Sequence, residues 1–199
     1  MKNFYLFLGI LMLIFIGLSL NTPQEETSYT ELKPNVSFFH EDLSAQSTIN
    51  KIFTHKDFLN KTSLVFFGYT RCPDFCPNTL MQLSKVHKEL NESKSVDTTK
   101  LQIIFISVDT KNDDISSIEK YVQYFDKHFI GLRLNETSLD ALAKSAGVYY
   151  KKVSETQGID IYDHTGTIFI IDDLGKTKGV FTPPFLESAL KLDIIQLLN

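Results

Sequence analysis

Cysteine is almost absent from this chain: two occur among 199 residues, Cys72 and Cys76. So small a number cannot by itself decide between a reducing and an oxidising compartment. Basic residues are not in excess either. Twenty Lys and Arg against 24 Asp and Glu leave a formal charge of -4, without the basic patch that a nucleic-acid partner requires. No internal repeat and no low-complexity tract interrupts the sequence. Residues 36–199 are then enough for one globular domain with a full hydrophobic core.

A long apolar run occurs at the start. Residues 4–20 carry no charge; Lys2 precedes them and Glu25, Glu26 and Glu31 follow. The positive-inside rule leaves Met1 in the cytoplasm and sends the domain across the membrane. The run is near the lower limit for a span and slightly long for a cleaved signal core, so an uncleaved anchor is expected, with cleavage after Ser19 as the alternative. No cysteine follows it, which argues against a lipid anchor. It also lacks the Arg- and Ser-rich character of an organelle transit peptide. The expected layout is a membrane anchor or signal at 1–20, a polar tether with Pro23 and Pro34 at 21–35, and a domain at 36–199. That domain would lie on the outer side of a bacterial inner membrane.

Chemistry concentrates around the cysteines. Residues 63–67, Ser-Leu-Val-Phe-Phe, read as a short buried strand ended by Gly68. Pro77 fits the first helical position, and Leu80, Leu83, His87 and Leu90 recur at helical spacing. Cys72 and Cys76 thus fall on a strand-to-helix turn, with Cys76 near the helix N-terminus. The partial positive charge there favours a thiolate, and Arg71 beside Cys72 acts in the same direction. Across three intervening residues the sulfurs can reach one metal ion or each other. Two soft thiolates select copper(I) or zinc over hard cations.

Around this turn, Val36, Phe38 and Phe39 hint at a strand. Residues 101–108 are the most apolar run of the domain and so belong at the centre of a sheet covered on both faces. Helices are expected at 115–125, capped by Asp113 or Asp114, at 138–144, closed by Gly147, and at 186–198. Residues 148–150 look extended, and runs at 159–162 and 167–171 flank Asp163-His164-Thr165-Gly166. The turn signal at 172–176 makes a hairpin of 167–171 with 178–181. Strands alternating with helices give an α/β sheet between helices, with its site at the carboxyl ends of the strands. His40, His55, His87 and His128 read as solvated or structural. His164 stands apart, beside a carboxylate and immediately before a strand, with a surface loop histidine as the alternative.

Tyr69-Thr70-Arg71-Cys72-Pro73-Asp74-Phe75-Cys76-Pro77 closely resembles the signature of the SCO/SenC family of copper-handling, thioredoxin-fold proteins: a Cys-Pro-x-x-Cys-Pro pair and a distant histidine in an Asp-His dipeptide. Ser107-Val108-Asp109, Phe129-Ile130-Gly131-Leu132, Gly147-Val148-Tyr149-Tyr150 and Asp163-His164 continue the likeness in order over residues 35–199. The resemblance implies a thioredoxin-like fold, a central mixed sheet flanked by helices, on an N-terminal transmembrane anchor. It also implies one copper ion per chain, held by Cys72, Cys76 and His164. Two thiolates and a neutral imidazole suit copper(I) and also accept copper(II), and Asp163 is the candidate to orient the imidazole. The implied role is assembly of the copper centre of cytochrome c oxidase, as metallochaperone, as reductase of the target's cysteines, or both. The implied partner is the copper-binding subunit of the oxidase or another copper protein, met by a monomer. Cys72 and Cys76 would double as a redox pair, because oxidation joins them and abolishes metal binding. Thr110-Lys111-Asn112-Asp113 departs from the family, which has Pro and an Arg-Asp pair there.

Three other readings compete. A thioredoxin-type oxidoreductase has two residues between its cysteines, not three, and a proline where His164 stands. A peroxidase needs Thr three residues before its reactive cysteine, where this chain has Pro73 and Tyr69. A purely structural disulfide across so short a loop would stabilise little.

Overall fold

The structure, a computed structural model, describes residues 28–32, 37–156 and 158–199. The expected anchor at 1–20 lies outside the described residues. Among the described residues no helix is long and apolar enough to cross a membrane. The strands are β1 (Thr30–Glu31), β2 (Ser44–Ser47), β3 (Ile52–Thr54), β4 (Thr62–Gly68), β5 (Leu101–Ser107), β6 (Ile130–Arg133), β7 (Tyr150–Thr156), β8 (Ile159–His164), β9 (Ile168–Ile171) and β10 (Thr177–Phe181). The helices are α1 (Phe75–Ser93), α2 (Ile115–Phe125), α3 (Glu136–Ala146) and α4 (Glu187–Leu198).

Eight strands form one mixed sheet in the order β1-β10-β9-β4-β5-β6-β2-β3. β4, β5 and β6 run parallel, whereas β9 lies antiparallel to β4. Leu64, Val65, Phe66 and Phe67 are all fully buried, so both faces of β4 are covered, as its unbroken apolar composition requires. β5 takes the central place expected of 101–108. A cluster of phenylalanines, Phe38, Phe39, Phe53 and Phe58, packs on Phe67 of β4 and Phe169 of β9, with Phe53 and Phe58 edge-on at 5.2 Å.

Local signals account for the helix ends. The Asp114 carboxylate accepts from Ser117 N at 2.7 Å and caps α2. Asp113, the other candidate cap, is buried and accepts from Ser107 Oγ at 2.6 Å and Thr70 N at 2.9 Å. Gly147, at φ 70°, closes α3 in the left-handed conformation.

Three expectations are corrected. The tether at 21–35 is not wholly outside the fold, because β1 pairs with β10 and Ser28 N donates to Asp193 at 2.8 Å. No strand forms at Phe38 and Phe39; Ser37 makes a lone bridge to Lys176, and the two rings turn into the core. His164 does not sit in a loop before a strand but is the last residue of β8. β8 pairs with β7 in a separate two-stranded sheet, which sets His164 opposite Tyr150. The pairing of 148–150 with 159–162 needs the long-range register that a 3- or 4-residue apolar pattern does not carry.

Candidate metal centre

Gly68, at the carboxyl end of β4, approaches the site so closely that a Cβ there would lie 2.9 Å from Cys76 Sγ and 2.8 Å from the Phe105 ring. Only a residue without a side chain fits. The chain then turns, with Cys72 N donating to Tyr69 O at 3.2 Å, and α1 starts at Phe75. Pro77 is therefore the third helical residue, not the first. It still costs nothing there, because the first four amides of a helix have no partner within it. Cys76 is fully buried in the first turn, while Cys72 is half-buried in the preceding loop.

The free amide of that first turn is used on sulfur: Cys76 N–H points at Cys72 Sγ at 3.4 Å. The helix end thus stabilises charge on Cys72, the sulfur outside the helix, and not on Cys76 as its position suggests. The Cys72 thiol is pulled down to about 4, chiefly by the hydrogen bond from the Cys76 thiol, with further help from the amides of Cys76 and Asp74 against partial burial. Burial, and the thiolate alongside, push the Cys76 thiol far up. Arg71, expected to assist Cys72, instead gives its guanidinium to the buried Asp109 carboxylate at 3.0 Å.

His164 comes from the end of β8. Its Nε2 lies 3.4 Å from Cys76 Sγ, and Nδ1 faces the carbonyl oxygen of Thr165 at 3.1 Å. That carbonyl can only accept, so Nδ1 carries the proton and Nε2 presents its lone pair to the sulfurs. The orienting role expected of Asp163 falls to the Thr165 backbone, and Asp163 itself is exposed. Phe66, Tyr69 and Phe75 surround the imidazole edge-on at 6.0, 6.0 and 6.1 Å and fix its plane. The donor atoms of Cys72, Cys76 and His164 all lie within 4.8 Å of one another.

Residues not singled out by the sequence reading tie the two halves together. Tyr162, two residues before His164, donates its hydroxyl to Asp109 Oδ1 at 3.2 Å, and Tyr162 N donates to the Tyr69 hydroxyl at 3.4 Å. Asp109 therefore holds Arg71 from the cysteine loop and Tyr162 from the histidine hairpin on one carboxylate. Its place at the carboxyl end of β5, the same edge that carries the cysteines, was the available signal.

This donor set fits a soft thiophilic cation. With metal–sulfur near 2.3 Å and metal–nitrogen near 2.0 Å, a planar three-coordinate centre separates sulfur from nitrogen by about 3.7 Å, close to the spacing already present. No carboxylate belongs to the triad, so hard cations are poorly served.

Residues 35–199 match the profile of the family described as SCO1/SenC. Protein SCO1 homolog 1, mitochondrial, of Arabidopsis thaliana is 31% identical over 121 residues, an alignment covering 61% of this chain and 35% of that protein. This chain thus spans about a third of that relative's length. The SCO2-like protein of Rickettsia felis is 28% identical over 186 residues, 89% of this chain and 85% of that one. Among solved structures, that of Bradyrhizobium japonicum ScoI with copper bound superposes with a TM-score of 0.70 at 32% identity, over 78% of this chain and 96% of its own.

Proposed function

Because the chain belongs to the SCO1/SenC family, we propose that it binds one copper ion through Cys72, Cys76 and His164 and delivers it to a copper protein. The recipient we assign is the copper-binding subunit of cytochrome c oxidase, during its assembly. The apolar segment 1–20 would tether a monomeric domain to the outer side of a bacterial inner membrane. One observation carries this reading: residues 88 positions apart bring an imidazole nitrogen to 3.4 Å from a buried sulfur, with a second sulfur in the same cluster. Copper is the cargo here. Cys72 offers a thiolate, Cys76 gives up a proton on binding, and the Thr165 carbonyl keeps Nε2 free to coordinate. Phe66 and Tyr69 shield the inner side of the site from water, and Cys72 faces its open side.

The full chain, reduced and titrated with copper(I) against a chelator, should take up one equivalent. His164→Ala should weaken that binding, and either Cys72→Ser or Cys76→Ser should largely remove it. Equal copper affinity in the wild type and the double serine variant would refute the assignment.

A second reading rests on the contrast between the sulfurs. Cys72 is accessible and ionised, as an attacking thiolate must be, and Cys76 is buried and protonated, as a resolving thiol is. Cys72 Sγ would attack a target disulfide and form a mixed disulfide as the target S–S bond breaks. Cys76 would then lose its proton, attack Cys72 Sγ and release the target's second thiolate. The target gains two electrons and this chain ends as the Cys72–Cys76 disulfide. Mixing the metal-free reduced chain with an oxidised target peptide separates the roles. A carrier leaves that peptide oxidised, and its copper-loaded form metallates the reduced peptide.

A further inference from the structure

A second convergence of donor atoms lies away from the cysteines, where the carboxyl-terminal half of α1 meets the end of α2. His87, Asp126 and His128 place their donor atoms within 4.8 Å of one another. His87 and Cys76 are eleven residues apart on α1, about 16 Å along its axis at 1.5 Å per residue, so the two clusters cannot share an ion. Nothing in the reading of Cys72, Cys76 and His164 uses these residues.

The arrangement is fixed by its surroundings. Ser84 Oγ on α1 donates to Phe125 O at 2.6 Å and pins the last turn of α2 against α1. Asp126 follows as the cap of α2, its N donating to Val122 O at 3.1 Å. Its carboxylate stands between the two rings, with His87 Nδ1 at 2.6 Å from Oδ2 and His128 Nδ1 at 2.8 Å from Oδ1. His87 is buried on the apolar face of α1, whereas the His128 side chain is 60% exposed and opens the third side to water. On the far side of the His87 ring, Asn91 Nδ2 lies 3.2 Å from Nε2. As placed, Asn91 donates to Nε2, which fixes the ring while Nδ1–H is given to Asp126. The amide can also turn over to accept from Nε2–H when Nδ1 is used for coordination, since its other partner, the Thr98 hydroxyl, can donate or accept.

We propose that His87, Asp126 and His128 form a second metal site, for a divalent late first-row cation such as zinc(II). Two imidazoles and one carboxylate are borderline donors that suit zinc, nickel or copper(II) and disfavour magnesium or calcium. The carboxylate brings one negative charge to a half-buried position, so a dication meets its counter-ion there. Coordination through Nδ1 moves the proton of each ring to Nε2 through solvent. The remaining coordination positions face solvent at His128.

Zinc(II) is the probe, and the full chain carrying Cys72→Ser with Cys76→Ser is the protein, so the thiol site cannot contribute. One zinc(II) per chain should bind, and millimolar magnesium should not displace it. His128→Ala, at an exposed side chain, removes a ligand without opening the core and should weaken zinc binding by about tenfold or more. Asp126→Asn keeps the shape and should do the same. Absence of zinc binding up to about 100 μM, displacement by magnesium, or affinity unchanged in both variants would each overturn the site and leave only a clamp between α1 and α2. None of these outcomes bears on copper binding at Cys72 and Cys76.

Discussion

The two sulfurs differ so much in their affinity for protons that copper(I) uptake should release one proton and not two. Cys72, held down to about 4, has none to lose at neutral pH. Cys76, pushed far up by burial beside that thiolate, has its full proton. The sign follows directly: raising the pH removes the competitor at Cys76 only, so copper(I) affinity should increase tenfold per pH unit between about pH 7 and 8.5, or about 1.4 kcal/mol per unit. Two ordinary thiols titrating near 8.5 would give a slope approaching two over the lower part of that range. Affinity is read by competition with a chelator whose own pH dependence is known. The proton count is checked independently by calorimetry in two buffers of different ionisation enthalpy. Two protons released per copper, or a hundredfold gain per pH unit, would show that the Cys76 thiol and amide do not stabilise the Cys72 thiolate as the geometry requires.

Two substitutions test the frame that holds this asymmetry. Gly68→Ala places a methyl group under 3 Å from both the Phe105 ring and Cys76 Sγ; it should destabilise the domain by about 1–3 kcal/mol, as overpacking does, and also weaken copper(I) binding. Wild-type urea midpoint and wild-type affinity together would contradict the packing described. Asp109→Asn removes the charge that Arg71 and Tyr162 share. The Arg71 side chain is a third exposed, which tempers the loss, so about 1–3 kcal/mol is expected; an unchanged midpoint in urea would show that this carboxylate does not join the two halves of the site.

The parts of the fold written in short-range pattern were readable from the sequence. β4 and β5 declare themselves as unbroken apolar runs, α2 by its stripe and the Asp114 cap, and the β9–β10 hairpin by the turn chemistry of 172–176. The strand-to-helix turn with its cysteines was equally local. What escaped depends on register and on competition among partners. β2 and β3, Ser-Ala-Gln-Ser and Ile-Phe-Thr, are too short and too polar to show a period of two, and they exist because β6 offers an edge. The β7–β8 hairpin is nearly all exposed on β7, so no hydrophobic alternation marks it. Asp163 was the natural choice to orient His164 by adjacency, but successive residues of a strand point to opposite faces. The neighbour that reaches the ring is therefore a backbone carbonyl, which no residue identity reveals. Arg71 likewise lies beside Cys72 in sequence and spends its charge on Asp109.

The most informative residue outside the proposed ligands is thus Asp109, because it explains how a histidine on a separate hairpin can be placed to within a hydrogen-bond length of a sulfur in the first turn of α1. β8 has no ladder to β4 or β5; β7 is its only pairing strand among the described residues. Without a further tie, the Nε2 position would follow every motion of a two-stranded ribbon, which is marginally stable alone. Tyr162 supplies that tie twice, through its hydroxyl to Asp109 and its amide to Tyr69, two positions before His164 on the same strand. Residues i and i+2 of a strand face the same side. The contact that anchors Tyr162 to the carboxyl edge of β5 therefore also turns His164 towards the cysteines.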